Sequence, residues 1–486
     1  MAGLFASAST ASFAEAPGTS LWPVPRPDGA VRSGLATEDL VRGAGLGGGK
    51  VGFVVADARN GRVLEAMNPL LQLPPASVTK AVTALYALDK LGSGHRFRTR
   101  LLATGPIRGG QLQGDLILVG GGDPTLTTDM LGDMARALKA AGVLEVTGQF
   151  RVHSAALPYV REIDAEQPDH LSYNPAISGL NLNFNRVHFE WKRAQGGYEI
   201  TMQARAERYR PAVLLTRMRV VNRQSPVYTY SQAQGRENWT VAQAALGAGG
   251  SRWLPVRRPD SYAAEVFRTL ARSHGIQLRQ ARPVSTLSNA TVVVEQPSAE
   301  LRLILRDMLR YSTNLTAEVI GLGASSANGQ RVRSLRSSAR QMQSWLGANL
   351  GADRARFVDH SGLGEGSLVS ASEMSRALVR TGPDGPLRGI MKEIKLVDDK
   401  GRPMRNQPIE IRAKTGTLNF VSSLCGYMRT PGGRDLAFAV FSADKARRAR
   451  ISPDERERPR GARAWTGRAR RLQQQLIEHW AAAFDA

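Results

Sequence analysis

Two prolines, Pro74 and Pro75, precede a run in which Val78, Ala81, Val82, Leu85 and Leu88 recur at helical spacing. Residues 74–90 therefore read as extended chain that turns abruptly into an amphipathic helix. Ser77 falls at the helix start, and Lys80 follows one turn along on the same face. A hydroxyl there meets free backbone N–H groups and the positive end of the helix dipole. A neutral amine one turn away can take its proton, which is how a serine becomes a nucleophile. Such pairs also arise by chance, as a helix cap followed by a solvated lysine. A second one, Ser442-Ala443-Asp444-Lys445, follows the strand-like run 436–441 with no helix behind it and reads as structural. Residue usage favours Lys80: the chain has 10 Lys among its 65 basic residues, so positive charge is normally supplied by Arg. Arginine cannot deprotonate and so cannot be a base, whereas a buried lysine can.

At 486 residues the chain is long enough for two or three domains. A net charge of +23 calls for an anionic neighbour such as nucleic acid, an anionic membrane surface or a cell-wall polymer. No zinc-finger spacing or aromatic RNA-binding signature accompanies it, and aromatics are only 6%, so nucleic acid is not the expected partner. The single Cys425 excludes intrachain disulfides and Cys-rich metal sites. The seven histidines form no His-Glu-x-x-His, so zinc hydrolysis is not expected. No run is long and apolar enough to span a membrane. Residues 4–15 are small or apolar, and Ala14-Glu15-Ala16 resembles a cleavage site, so residues 1–20 read as an export-signal remnant lacking its basic start, or alternatively as a flexible N-terminus.

Residues 17–48, rich in Pro, Gly and Arg, read as an extended lead-in. The Gly-x-Gly-x-x-Gly match at 43–48 is followed by a strand, which is the reverse of a dinucleotide site, and is expected to be a loop. Runs 51–56 and 62–66 flank Asn60-Gly61 and predict a hairpin. From 98 to 285 the chain becomes strand-rich, with helices expected over 131–141 and 262–274. This region reads as an insertion with a nested subdomain over about 165–240. Helix returns over 298–322 and 334–346. A Gly-rich turn occupies 357–364, a strand at 409–413 runs into Lys414-Thr415-Gly416-Thr417, and strands follow at 423–428 and 436–441. An amphipathic helix over 471–484 closes the chain. The Arg-rich stretch from Lys445 to Arg471 reads as a solvated loop, or alternatively as a surface for an anionic polymer.

Three elements stand out in order: Ser77-x-x-Lys80, Ser312-x-Asn314 and Lys414-Thr415-Gly416. Ser-x-Asn also occurs at Ser172-Tyr173-Asn174 and Ser326-Ala327-Asn328, and position 312 is preferred for its helical context. Lys-Thr-Gly occurs once, at a strand end, where a serine acyltransferase needs an edge to hold substrate backbone. The set resembles the penicillin-binding protein and serine β-lactamase superfamily. The long insertion resembles the type-4 penicillin-binding proteins, the D-alanyl-D-alanine carboxypeptidase/endopeptidases. The likeness extends through Pro-Ala-Ser-x-x-Lys, Gly-Gly-Gly-Asp-Pro-Thr-Leu, Ser-Thr-Asn-Leu-x-Ala-Glu, Lys-Thr-Gly-Thr-Leu and Gly-Tyr-Met-Arg-Thr.

The resemblance implies an α/β (α+β) fold. Its transpeptidase-like domain, 21–97 with 286–486, is built on a central antiparallel sheet with helices on both faces. A strand-rich insertion of one or two small domains, 98–285, interrupts it. The implied roles are Ser77 as nucleophile, Lys80 as base, Ser312 as proton relay, and Asn314 on the substrate amide. Lys414 and Thr415 hold the terminal carboxylate, Gly416 admits the substrate backbone, and the N–H groups of Ser77 and Thr417 form the oxyanion hole. An ordinary lysine titrates near about 10.4, so Lys80 must be brought down, by burial and by the charge of Lys414. Peptidoglycan stem peptides are the implied substrates and β-lactams the covalent inhibitors, in the periplasm, with no cofactor and no metal. The family's Asp-Gly-Ser-Gly-Leu-Ser-Arg reads here Asp359-His360-Ser361-Gly362-Leu363-Gly364-Glu365, which reverses a charge on the peptide side of the cleft. A β-lactamase or esterase shares these residues but is usually compact, and a basic wall-binding scaffold has no need of them. A Ser-His-Asp hydrolase lacks its Gly-x-Ser-x-Gly elbow.

Overall fold

The computed structural model describes residues 31–287, 289–327, 329, 332–398 and 400–485. The expected signal remnant over 1–20, and Asn328 of the last Ser-x-Asn, lie outside them. Six strands form one antiparallel sheet: β1 (Lys50–Asp57), β2 (Val63–Met67), β3 (Lys392–Glu393), β4 (Glu410–Leu418), β5 (Val421–Arg429) and β6 (Asp435–Ala443), in the order β3-β4-β5-β6-β1-β2. The Asn60-Gly61 signal does join β1 to β2. Gly61 takes φ 77°, and the Asp57 carboxylate accepts from the N–H groups of Arg59 and Asn60.

Both faces of β6 are buried, and its side chains divide by parity. Ala437, Ala439, Phe441 and Ala443 enter one core, while Leu436, Phe438 and Val440 enter the other. Against the first core pack α2 (Thr79–Leu91), α3 (Leu301–Tyr311), α4 (Asn314–Ala327), α5 (Leu335–Leu350) and α6 (Ala371–Thr381). Against the second pack α1 (Val31–Gly43) and α8 (Ala462–Ala483), while the short α7 (Lys445–Ala449) sits at the exit of β6. The fold class is the one the resemblance implies: a central antiparallel sheet with helices on both faces. No helix among the described residues is long and apolar enough to cross a membrane.

Three expectations need correction. The lead-in is not extended throughout, because α1 forms where Leu40, Val41 and Ala44 rest on the core built around Trp465 and Trp480. The helix expected over 298–322 is two helices, broken at Ser312, which adopts a left-handed conformation (φ 59°, ψ 37°). The last helix begins at Ala462 rather than 471: Trp465, Ala469, Leu472 and Leu476 continue its apolar stripe upstream between the arginines.

Between α2 and α3 the chain builds a separate apolar core. Strands Arg98–Ala103, Leu116–Val119, Phe150–His153, Arg282–Pro283 and Thr291–Pro297 form a five-stranded sheet, and three smaller sheets accompany it. Its first and last strands in the chain, Arg98–Ala103 and Thr291–Pro297, pair antiparallel, so this excursion closes on itself at Pro297.

Candidate active site

Ser77 does not cap its helix. It lies in a 3-10 turn, Ala76–Val78, that runs directly into α2, and Ala76 before it is held at φ 48°. A non-glycine residue there costs about 1–2 kcal/mol and needs surroundings that enforce it. They do: a Cβ on Gly362 would lie 1.8 Å from the Ala76 carbonyl oxygen, and one on Gly416 would lie 2.6 Å from that of Pro75 and 3.1 Å from the Ser77 nitrogen. Gly416 thus admits the Ser77 turn.

Lys80 is completely buried beneath this turn. Its Nζ lies 3.0 Å from Ser77 Oγ, 2.7 Å from Asn314 Oδ1 and 2.7 Å from the Ser361 carbonyl oxygen. Burial, and then the positive charge of Lys414, hold its pKa well below the ordinary lysine value. Two carboxyls pull the other way, Glu318 and Asp359. Burial raises the pKa of both carboxyls, and the charge of Asp359 raises that of Glu318 further, which blunts that pull. Glu318 accepts from the N–H groups of His360 (3.0 Å) and Ser361 (2.8 Å), and so fixes the loop whose carbonyl meets Lys80. Sequence reasoning gave Glu318 no role, although it stands one turn beyond Asn314 on the same face of α4. His360 is packing: its ring is buried beside Ser338 Oγ (2.7 Å) and fits because Gly321 has no Cβ, which would fall 2.1 Å from the ring.

The break between α3 and α4 brings Ser312 and Asn314 into the same space. Lys414 Nζ donates to Ser312 Oγ (3.0 Å) and to the Thr415 carbonyl (2.6 Å), and burial lowers its pKa to about 8. Strand alternation on β4 sends Lys414 and Gly416 inward and leaves Thr415 and Thr417 exposed on the opposite face. A cavity of about 1150 Å³ opens over this group, lined by Ser77, Ser312, Asn314 and Thr417. Lys80 and Lys414 hydrogen-bond to residues of this lining and Gly416 packs against the Ser77 turn, whereas Thr415 meets the group only through its carbonyl, which accepts from Lys414.

Other walls come from residues that carried no sequence signal. Gln167 and Tyr173 reach the cavity from the inserted sequence. The 445–471 stretch is not a solvated loop: it forms α7, a 3-10 turn and the start of α8, and lines the cleft with Arg448, Arg456, Arg463 and Arg470. Charge pairing holds it there. Arg448 meets Glu365 at 2.9 Å, Arg456 meets Glu166 at 2.7 Å, and Glu457 meets His170 (2.8 Å) and Arg252 (2.9 Å). The reversed charge at Glu365 is thus answered by Arg448 from α7. Arg470 donates to Thr417 Oγ1 (3.1 Å). Among the described residues no cluster of His, Cys, Asp and Glu is arranged to hold a metal.

The chain is 29% identical over 442 residues to a D-alanyl-D-alanine carboxypeptidase of an Actinomadura species, covering 82% of this chain and 78% of that one. It is 23% identical over 422 residues to the D-alanyl-D-alanine carboxypeptidase DacB of Haemophilus influenzae, covering 81% and 85%. The crystal structure of penicillin-binding protein 4 from H. influenzae superposes with a TM-score of 0.74 at 20% identity, over 90% of this chain and 99% of that one. The same protein complexed with a β-lactam gives a TM-score of 0.70 at 20% identity, with the same coverage of both chains. The D-Ala-D-Ala carboxypeptidase 3 (S13) family model matches residues 36–458, which take in the Ser77 turn, the inserted sheets and the Lys-Thr-Gly strand. A serine turn over a buried lysine, completed by a helix break and a strand far along the chain, is what that match spans, and the chain belongs to the D-Ala-D-Ala carboxypeptidase 3 (S13) family of serine peptidases.

Proposed function

We propose that this D-Ala-D-Ala carboxypeptidase works through an acyl-enzyme on Ser77, with the roles the motifs imply. The observation that carries the reading is Lys80 Nζ, buried, depressed in pKa and 3.0 Å from the Ser77 hydroxyl at the floor of the cavity. Ser77 Oγ attacks the carbonyl carbon of the penultimate D-Ala while its proton passes to Lys80. The N–H groups of Ser77 and Thr417 receive the oxyanion, and losing one such donor typically costs roughly 10²–10³ in rate. Ser312, held by Lys414, relays the proton taken up by Lys80 to the leaving amine as the C–N bond breaks, and Lys80 is neutral again. Water then hydrolyses the ester and regenerates the serine. Asn314 binds the substrate amide, and Lys414 and Thr415 hold the terminal carboxylate.

The same groups cut a D-Ala–diaminopimelyl cross-link, so the activity extends to D,D-endopeptidase. A β-lactam, whose ring amide opens on the serine without losing its other half, stays attached. The substrates are peptidoglycan stem peptides in the periplasm. Their free carboxylates suit the arginines of the 445–471 stretch, which also offers the cell wall a basic surface. The transpeptidase-like domain comprises 21–97 and 286–486 with 98–285 inserted, and the strand Thr291–Pro297 joins the insertion's sheet. Incubation with purified muropeptides, monomeric and cross-linked, tests the reading: free D-Ala and resolved cross-links are expected, and both are lost in Ser77→Ala. Labelling of folded Ser77→Ala by a fluorescent penicillin would overturn the nucleophile assignment.

A further inference from the structure

A neutral lysine amine has two N–H bonds and one lone pair, and Lys80 Nζ has three neighbours. Two of them, Asn314 Oδ1 and the Ser361 carbonyl, can only accept, so they take both hydrogens. The remaining tetrahedral position, the lone pair, faces Ser77 Oγ. This holds only while Asn314 presents its oxygen. The two ends of an asparagine amide have the same shape, so what fixes the orientation is the partner of the other end. Asn314 Nδ2 donates to the backbone carbonyl of Tyr173, 2.9 Å away.

Tyr173 belongs to the inserted sequence and lies in a stretch, 161–174, without helix or strand. Arg257 ties this loop down. Its side chain is 1% exposed. Nη1 donates to the carbonyls of Arg161 (3.1 Å) and Asn174 (2.6 Å), and Nη2 to that of Asp169 (2.9 Å). The backbone of Arg257 is held in turn: its N–H donates to Glu237 Oε1 (2.9 Å), and its carbonyl accepts from Tyr159 Oη (2.9 Å). The buried Asn174 side chain cross-links the loop by accepting from the N–H groups of Ile163 and Asp164 and donating to the Asp164 carbonyl. Arg257 reaches the three carbonyls from two nitrogens of a rigid planar fork, a spread of donors that the single nitrogen of a lysine does not reproduce.

We propose that Arg257 is a positioning residue for the reaction: by pinning the 161–174 loop it holds the Tyr173 carbonyl on Asn314, and so keeps the lone pair of Lys80 aimed at Ser77. The inserted sequence then orients the catalytic base across the domain boundary. The proposal rests on the roles given above to Ser77, Lys80 and Asn314. With the loop loosened, the Asn314 amide can turn and place an N–H on the lone pair, which removes the base from the hydroxyl.

A double-mutant cycle on acylation by a fluorescent penicillin tests this, with the full chain and thermal unfolding as the folding control. Arg257→Lys is expected to slow acylation about 10- to 100-fold. In an Asn314→Ala background the same change should cost less than about twofold, because the amide it orients is gone. Additive effects would overturn the proposal. The pH profile separates orientation from mere sealing. A turned amide stabilises the neutral amine and moves the acid limb of acylation to lower pH, whereas water admitted by a looser loop moves it to higher pH and would also overturn the proposal. Should Arg257→Lys fail the folding control, Asn174→Ala, which releases the same loop from its other end, takes its place in the cycle. Labelling of Ser77→Ala would instead sink the underlying roles, and an unlabelled Ser77→Ala with an additive cycle would sink this inference alone.

Discussion

The chain contains Ser-x-x-Lys twice, and the two copies have nothing in common beyond spacing. Ser77 and Lys80 are joined by a 3.0 Å hydrogen bond in a helical turn, where residues three apart share a face. Ser442 lies on β6 between Val51 and Ser422, wholly buried, and its hydroxyl has no partner among the described residues. Lys445 starts α7 beyond the end of that strand and, among the described residues, reaches only the Gln72 carbonyl, at 3.4 Å. One pair is completed by groups from three distant segments, Asn314, Ser361 and Lys414; the other is completed by none. What a Ser-x-x-Lys pair can do is set by what surrounds it.

The largest effect that would break or sharpen this contrast comes from exchanging the two lysines for methionine. Lys80→Met keeps most of the apolar stem and removes the base, and should lower penicillin acylation and D-Ala release by roughly 10²–10⁴-fold, the range for a general base. Lys445→Met should change neither by more than about twofold. Comparable losses in the two variants, with both proteins folded, would mean that the surroundings of Lys80 are not what distinguishes it.

A smaller effect, read in pH, comes from the second buried lysine. With the roles proposed for them, acylation needs Lys80 neutral and Lys414 charged, so the rate should rise as Lys80 loses its proton and fall as Lys414 loses its own near pH 8. Lys414→Arg cannot titrate, so the alkaline limb should disappear. It keeps the charge that helps depress Lys80, so the acid limb should stay in place. The cost at the optimum should be about tenfold, because a flat fork replaces a point charge that reaches both Ser312 and the Thr415 carbonyl. Lys414→Met removes that charge and should move the acid limb to higher pH. An alkaline limb that survives in Lys414→Arg would assign it to another group.

Much of the site was legible because its residues carry chemistry in recognisable types and order: Ser77, Lys80, Ser312, Asn314, Lys414. The sheet was legible because β1, β5 and β6 are apolar runs bounded by Asn-Gly or Pro-Gly-Gly turns. The remainder depends on tertiary contact. The break at Ser312 carries no glycine or proline, and only the packing of α3 and α4 demands it. Helix α1 is hidden by its arginines and glycine until the tryptophans of α8 cover Leu40 and Val41. The 445–471 stretch looked solvated because its arginines are numerous, while Glu365, Glu166 and His170, the partners of Arg448, Arg456 and Glu457, lie 80 or more residues away in the chain. Tyr173 was met as part of a discarded Ser-x-Asn match, and what it contributes is a backbone carbonyl, which no residue type announces.

The smallest effect concerns Ser442, and it tests the contrast from the other side. A buried hydroxyl without a partner has lost its water and gained nothing, at a cost of order 1–3 kcal/mol. Ser442→Ala removes that cost and leaves a void no larger than an oxygen atom between β1, β5 and β6. Stability should therefore be unchanged or raised by up to about 1 kcal/mol, a shift of roughly 2 °C in Tm, with acylation at the wild-type rate. A clear loss of stability would show that the hydroxyl is bonded after all, and a clear loss of acylation would show that the sheet interior communicates with the Ser77 turn through Ser423, whose hydroxyl donates to the Pro74 carbonyl at 3.2 Å. That hydrogen bond belongs to the neighbouring strand and points to the other face of the sheet. The two serines of β5 thus repeat in miniature the difference between the two Ser-x-x-Lys pairs, since a shift of one position along a strand is enough to connect Ser423 to the nucleophile's turn and leave Ser422 facing Ser442.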